Sequence, residues 1–336
     1  MVLTNLMKRG AEFLGVRYAL MAGAMSWVSE ANLVSAISNS GGFGVIACSA
    51  MPPHLLSQEI DKTFAKTSNN FGVNLITMHP QLEELIDVCI EKKVKYVVLA
   101  GGLPKATSIA KLRENGIKVL CFAPALVIAK KLIRSGADAI IIEGNEAGGH
   151  IGPVTTSVLV QEIVPYIKNE VPVFVAGGIG RGEAVATYLL QGAAGCQLGT
   201  RFVCATESIA HPNFKQAFIK AQARDAIPSV QLDDEFPVIP VRAIENNASK
   251  EFMQFQRSVI EEYHSGKLSK LDAQLKIEHF WAGALRKAVI EGDIERGSLM
   301  AGQSVGMVTK EQPTQEIIDE IIGEATIFLK GLNQAA

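Results

Sequence analysis

A histidine follows two glycines just past a long apolar run in the stretch IIEGNEAGGHIGP, residues 141–153. The run ends in Glu143, and small residues dominate the loop between it and His150. Glycines let a backbone lie close to a ligand, and an imidazole can give or take a proton near neutral pH. A histidine needed only for packing would not require glycines beside it. We therefore interpret His150 as a candidate acid–base group.

Two further glycine-containing segments, AGGIGRGEA and LGTRF, also follow apolar runs. Gly177 and Gly178 in the first segment, with Gly199 and Thr200 in the second, can offer backbone amides and a hydroxyl to an anion. The helix that opens near Arg181 would direct free amides and the positive end of its dipole at the same place. Together the two loops predict a phosphate site. GGIGRG lacks the G-x-G-x-x-G spacing of a dinucleotide fingerprint, so we do not assign that role.

Small and polar residues end three of the apolar runs, including the one that ends in Glu143. Gly23 and Ala24 leave room for a flat ligand, and Met25 beside them is bulky and soft. Asn74 and Glu143 place an amide and a carboxylate where apolar residues would serve packing better. Such groups suit a ring with several hydrogen-bonding edges. With the phosphate site they suggest flavin mononucleotide, FMN. A sugar phosphate is the alternative ligand, and packing or strand capping is the alternative role for Met25 and Asn74.

About eight continuously apolar runs recur between Tyr18 and Thr200, at intervals of roughly 25 residues, with helical patterns between them. Continuous runs are typical of parallel strands that are buried on both faces. The pattern predicts an α/β fold, a (β/α)8 TIM barrel, in which the functional site lies at the carboxyl ends of the strands. A doubly wound sheet is the alternative, but it usually has fewer strands.

The strand–helix rhythm ends after Thr200. Residues 211–296 are more polar and helical in pattern, and we interpret them as a helical substrate-binding lid inserted after strand eight. Residues 1–210 and 297–336 then form the FMN-binding (β/α)8 barrel with its closing helix.

Composition limits the classes of partner. The 336 residues carry 32 basic and 34 acidic side chains, which argues against a nucleic-acid surface. Five cysteines without a CxxC pattern predict neither a disulfide framework nor a structural zinc site, and we expect no metal. No run approaches the roughly 20 apolar residues of a membrane span, and no signal peptide is evident. We expect a cytoplasmic enzyme without nucleic-acid or membrane partners.

Several motifs together carry a family resemblance: EGNEAGGHIGP, VAGGIG, QLGTRF, ESIAHPNFK and GSLMAGQSVGMV. They resemble the flavin-dependent enoyl-acyl-carrier-protein reductases of bacterial fatty-acid biosynthesis. They are also similar to nitronate monooxygenases, formerly called 2-nitropropane dioxygenases, and to NADH:quinone reductases. The resemblance extends from about Leu14 to Glu320 and implies an FMN-dependent oxidoreductase. The motifs discriminate poorly between these activities, although MSWV and GHIGPVTT favour the reductases. The polar stretch around Asp233 and Asp234 matches none of the patterns.

The resemblance also implies a role for each matched residue. His150 matches the catalytic histidine, which positions a substrate carbonyl or supplies a proton. The residues matched to FMN contacts are Gly23, Ala24, Met25, Asn74, Glu143, Gly148, Gly177, Gly178, Gly199, Thr200, Gly302 and Gln303.

NADH or NADPH is the implied reductant, and the implied substrate is a small molecule or is linked to acyl carrier protein. The sequence does not determine the preferred nicotinamide, the acyl chain length or whether the chain forms a homodimer. A protein that binds flavin without catalysis is the remaining alternative from another class.

Overall fold

Eight parallel strands form the barrel in this computed structural model, which describes residues 2–49, 51–236 and 238–335. In chain order the strands of the described residues are β1 Leu20–Ala22, β2 Gly44–Ala47, β3 Phe71–Ile76, β4 Tyr96–Ala100, β5 Lys118–Phe122, β6 Ala139–Glu143, β7 Gly149–His150, β8 Val173–Ala176, β9 Gly195–Leu198, β10 Ala226–Pro228, β11 Val241–Ile244 and β12 Leu299–Met300.

The barrel strands are β1 to β6 with β8 and β9, and they pair in the order β1-β9-β8-β6-β5-β4-β3-β2. A parallel bridge between Met21 and Phe43 then joins β1 to β2 and closes the ring. Their side chains are buried almost throughout, as the continuous apolar runs predict. The (β/α)8 barrel is therefore confirmed.

Helices lie between the barrel strands, as the helical patterns between the apolar runs predict. In chain order they are α1 Val2–Leu14, α2 Ala31–Asn39, α3 Pro53–Lys66, α4 Leu82–Glu91, α5 Ala106–Glu114, α6 Leu126–Arg134, α7 Thr156–Ile167, α8 Gly182–Leu190, α9 Thr200–Val203, α10 Pro212–Lys220, α11 Asn247–His264, α12 Lys270–Val289 and α13 Thr314–Ala335. None of the described helices has both the length and the apolar character needed to cross a bilayer.

The segment inserted after β9 contains two long helices, α11 and α12, and also two short strands that the sequence pattern did not reveal. Strand β11 pairs antiparallel with β10, β12 and β7, so the inserted segment is joined by a small sheet to the loop that carries His150. Strands of three and four residues are too short to show an alternating pattern. Their pairing depends on partners far away in the chain.

The two long helices of the insertion have a hydrophobic core of their own, separate from that of the barrel. Its buried members are Phe236, Val238, Val241, Phe252, Val259, Ile260, Ala273, Ile277 and Trp281. Asp233, in the polar stretch that matched no motif, accepts hydrogen bonds from the backbone of Glu235 and Phe236 and lies 2.9 Å from His264 Nε2. That stretch therefore holds the chain against the end of α11.

Candidate functional site

The loops after β1 and β9 lie together at the carboxyl ends of the barrel strands. Gly23 N–H donates to the Leu198 carbonyl at 2.9 Å. A β-carbon added at Gly23 would lie 3.6 Å from Gly199 Cα, and one added at Gly199 would lie 3.7 Å from Met25 Sδ. Ala24 packs against the barrel core. These sequence-predicted residues therefore form one surface at the mouth of the barrel.

The segment after β12 returns to the same surface, as the family resemblance implies. Gly302 N–H donates to Thr200 Oγ1 at 3.0 Å, and Gln303 N–H donates to the Glu146 carbonyl at 2.9 Å. A β-carbon added at Gly148 would lie only 2.5 Å from Gly302 N, so the two backbones meet where a side chain has no room. The loop after β6, the loop after β9 and the late segment are thus fixed to one another.

Buried amide side chains face this region from two strands. Asn74 on β3 is only 6% exposed, and its Nδ2 donates to the Val98 carbonyl at 3.1 Å, which leaves Oδ1 as an acceptor. Gln197 on β9 is 7% exposed, and its Nε2 lies 3.7 Å from the position of a β-carbon on Gly23. The sequence-based assignment omitted Gln197. Its signal was an amide inside an otherwise apolar run.

Glu143 ends β6 in register with Ala176 of β8. Burial raises the pKa of its carboxyl from 4.5 to about 7, and the nearby charge of His150 acts in the opposite direction. A carboxyl with such a pKa can serve as a hydrogen-bond donor or acceptor near neutral pH.

This raised pKa predicts how stability depends on pH. Between pH 4.5 and 7 the folded protein holds a proton on Glu143 that the unfolded chain has lost. The contribution to stability is therefore complete below pH 4.5 and is lost as the pH rises through 7. We expect Glu143→Gln to gain about 2 kcal/mol of unfolding free energy relative to wild type between pH 5.5 and 8.5.

Urea unfolding of the flavin-free proteins at the two pH values measures this difference. The pairwise comparison cancels the titration of the other groups. A constant difference between the two proteins would show that Glu143 titrates normally.

The glycines after β8 have backbones that other residues rarely adopt. Gly177 and Gly178 have φ of 101° and 70°, and a β-carbon on Gly178 would lie 2.8 Å from Glu146 Cβ. The carboxylate of Glu146 accepts from Thr156 N and Oγ1 at 2.8 and 2.9 Å, at the start of α7. This packing keeps the loop close to the ends of β6 and β8.

The opening of α8 differs from the sequence prediction. Gly182 N–H donates to Glu324 Oε2 at 2.7 Å, and Arg181 pairs with Glu183 and with Glu324. A carboxylate of α13 therefore occupies the end of the helix that was predicted to direct free amides at an anion. A phosphate site here would consist of the loops after β8 and β9.

His150 projects from β7, whose backbone pairs with Val241 of the inserted segment. Its Nε2 lies 3.1 Å from Oε1 of Glu278 on α12. The imidazole is 40% exposed and the Glu278 side chain 37% exposed, so the pair is open to solvent on one side. No local sequence signal marks Glu278, because it lies 128 residues away in the chain.

The loops after β1 and β2 contain two backbone conformations that cost energy. Trp27 and Ser49 have φ of 66° and 48°, and the hydroxyls of Ser26 and Ser49 are hydrogen-bonded. The guanidinium of Arg286 on α12 lies 5.8 Å from the centre of the Trp27 ring. Helix α12 therefore reaches both the loop after β1 and the histidine after β6.

The residues at this mouth fit a flavin. Asn74 lies inside β3, two residues before its end, rather than at the strand end that the sequence predicts. The amides of Asn74 and of Gln197 in β9, with the carboxyl of Glu143 at the end of β6, can bond the alternating donors and acceptors along the edge of the ring. Gly23 and Gly199 carry no side chains, so the backbone there leaves a flat surface for the flavin ring. The loops after β8 and β9 can hold a single phosphate.

Comparisons with known proteins identify the family of the chain. The model of the nitronate monooxygenase family matches residues 8–86 and 81–324. FabK of Thermotoga maritima, an enoyl-ACP reductase, is similar in structure, with a TM-score of 0.86 and 35% identity over 98% of this chain and 99% of that one. A probable nitronate monooxygenase of Staphylococcus aureus (strain MSSA476) is 28% identical, over 94% of this chain and 96% of the relative. A (3aS,4S,5R,7aS)-5-hydroxy-7a-methyl-1-oxo-octahydro-1H-indene-4-carboxyl-CoA dehydrogenase of Rhodococcus jostii is also 28% identical, over 94% of each chain.

Proposed function

Because the chain belongs to the nitronate monooxygenase family of flavin oxidoreductases, we propose that it is an FMN-dependent reductase of enoyl thioesters. The reductant is NADH or NADPH, and the substrate is carried by acyl carrier protein or coenzyme A. The observation that carries this choice is the similarity to FabK along nearly the whole chain. The influence of the His150 charge on the Glu143 carboxyl supports it, because Glu143 ends a barrel strand at the mouth.

In this proposal FMN, when bound, supplies the hydride chemistry. Asn74, Gln197 and Glu143 bind the ring edge, and the amides of the loops after β8 and β9 bind the phosphate. His150 holds the thioester carbonyl and donates a hydrogen bond or a proton as negative charge develops on its oxygen. In the overall reaction the β-carbon receives a hydride and the α-carbon a proton, while NAD(P)H becomes NAD(P)⁺.

Nitronate oxidation is the second candidate, and the match to the family model favours it. In that reaction oxygen is the oxidant, and with a neutral nitroalkane His150 would remove the proton of the carbon that bears the nitro group, which forms the nitronate. The same residues would bind the flavin, so the two candidates differ in the molecule that reoxidises it.

One set of measurements tests the function. The purified protein is denatured and its flavin identified, and the native protein is then reduced anaerobically with NADH or NADPH. The reduced protein is mixed with crotonyl-coenzyme A or with a quinone, and the oxidised protein is mixed with oxygen and a nitronate. Rapid reoxidation by the enoyl thioester is the expected result. Oxygen consumption with the nitronate, without reoxidation of the reduced protein by the thioester, would favour the monooxygenase, and a colourless protein that takes up no FMN would contradict both candidates.

Gly178→Asp is expected to weaken FMN binding more than Gly178→Asn does. Both side chains must adopt the positive φ of 70° and displace Glu146, so they share the cost in backbone and packing. Asn tolerates this backbone region better than most residues and carries no charge. Aspartate adds a negative charge where the phosphate is expected. We expect a further loss of roughly 10- to 100-fold in FMN affinity, about 1.4–2.8 kcal/mol.

Fluorescence titration of the flavin-free proteins with FMN measures the two affinities. Riboflavin, which lacks the phosphate, is the control ligand and should not distinguish Asp from Asn. Equal FMN affinities for the two variants would place the phosphate elsewhere.

A further inference from the structure

The backbone of His150 is fixed by strand pairing, whereas its imidazole is held by a different part of the chain. Its backbone pairs with Val241, and the following residue, Ile151, donates its N–H to the Pro240 carbonyl at 2.9 Å. The ring itself is 40% exposed, so packing alone does not fix its rotation. The polar contact that the structure gives the ring is with Glu278 of α12, at 3.1 Å from Nε2.

This contact selects one arrangement of protons on the ring. An ionised carboxylate only accepts hydrogen bonds, so Nε2 carries a proton that it donates to Glu278. Nδ1 is then the nitrogen that accepts a proton when the ring is neutral and donates one when the ring is charged. A carboxylate bonded to one imidazole nitrogen commonly fixes both the tautomer and the orientation of the ring.

Helix α12 has its own attachments to the barrel mouth. Arg286 lies over the Trp27 ring in the loop after β1. Near the same end of the helix, Ser298 N–H donates to the Ala284 carbonyl at 2.9 Å, just before β12. Glu278 therefore reaches His150 only when α12 lies across the mouth.

We propose that Glu278 is a positioning residue, which orients His150 and makes that orientation depend on the position of α12. The proposal rests on the proposed role of His150 in the reaction. Glu278 itself touches neither the flavin nor the reacting carbon in this proposal. Its effect is confined to the step in which the substrate needs the imidazole.

For Glu278, a structural role can be distinguished from a positioning role, because the side chains of Glu278 and His150 are both more than a third exposed. Ion pairs with this exposure contribute little to stability, so Glu278→Gln is expected to fold and melt like wild type. Glu261, exposed on α11 of the same insertion, provides the matched control variant Glu261→Gln.

The experiment measures both half-reactions by stopped flow, on the FMN-loaded protein, with NADH or NADPH and then with crotonyl-coenzyme A. For Glu278→Gln we expect about a tenfold lower limiting rate of flavin reoxidation, with an unchanged rate of flavin reduction and unchanged half-saturation by the thioester. Glu278→Asp should recover part of the rate, and Glu261→Gln should match wild type. In a His150→Ala background, Glu278→Gln should have no further effect.

The His150→Ala and double variants distinguish failure of the positioning role of Glu278 from failure of the proposed role of His150. If His150→Ala slows reoxidation but Glu278→Gln does not, the positioning role is wrong and the proposed function stands. An equal loss from Glu278→Gln with and without His150, or a faster rate than wild type, would also overturn the positioning role. If His150→Ala itself leaves reoxidation unchanged, the proposed role of His150 fails, and the role of Glu278 fails with it.

Discussion

Replacing His150 with alanine is expected to lower substrate-dependent turnover by roughly 10²–10⁴-fold, the range for loss of a general acid–base group. The protein should keep its FMN, because the residues assigned to FMN come from the barrel strands, from the loops that follow them and from the segment after β12. Reduction of the flavin by NAD(P)H should be affected much less, since delivery of a hydride from nicotinamide requires no proton from the protein. The loss should therefore appear in the half-reaction with the carbon substrate.

Stopped-flow measurement of the two half-reactions checks this result. His54→Ala, an exposed histidine on α3, is a control for the loss of an imidazole and should retain the wild-type rates. Equal reoxidation rates for wild type and His150→Ala would show that His150 has a structural role and not a catalytic one. A loss confined to the reaction with a neutral nitroalkane would keep the acid–base role and favour the monooxygenase.

Removing helices α11 and α12 is expected to abolish turnover of large thioester substrates while leaving FMN bound. The proposal behind this prediction is that residues 211–296 act as a lid over the barrel mouth. Glu278 at His150 and Arg286 over Trp27 both come from α12. Without them the imidazole loses its partner and the mouth is open to water, which weakens electrostatic stabilisation of the reacting groups.

The structure defines where to make this excision. Asn246 Nδ2 donates to the carbonyls of Ile294 and Gly297 at 2.6 and 2.8 Å, so the two ends of the helical pair are already adjacent. Joining Asn246 to Ile294 through two or three glycines removes both helices and retains β10, β11 and β12. A deletion that also removed β11 would leave β7, the strand of His150, without its partner. Loss of the lid could then not be distinguished from displacement of His150.

Three measurements on the shortened protein test the lid. Its FMN content and its reduction by NAD(P)H should be close to wild type, whereas reoxidation by crotonyl-coenzyme A should fall by at least roughly 10²-fold, the cost of losing the positioned catalytic geometry. Reoxidation by a small quinone serves as the control, since it needs no proton from His150 in this proposal. A shortened protein that folds, binds FMN and keeps full activity would rule out the lid.

The barrel and the close-packed glycines at its mouth could be predicted from the sequence because their signals are local. A strand buried on both faces needs a continuous apolar run, and the pattern repeats at each strand. Gly178 has a positive φ, and the backbone of Gly302 lies too close to Gly148 to leave room for a side chain. Both constraints require glycine, so the residue type itself indicates them. Since parallel strands place their carboxyl ends at one mouth, residues far apart in the chain could be assigned to one site.

The tertiary structure alone decided which side chains meet across that mouth. The contact of Glu278 with His150 joins residues 128 positions apart, and Glu324 reaches the opening of α8 from the closing helix. Strands β10 and β11 carry no pattern of their own and exist because β7 and β12 lie beside them. Hydrophobic periodicity records which face of an element is buried, but not which charged side chain docks opposite another. That choice depends on how whole elements pack, and only the folded chain contains it.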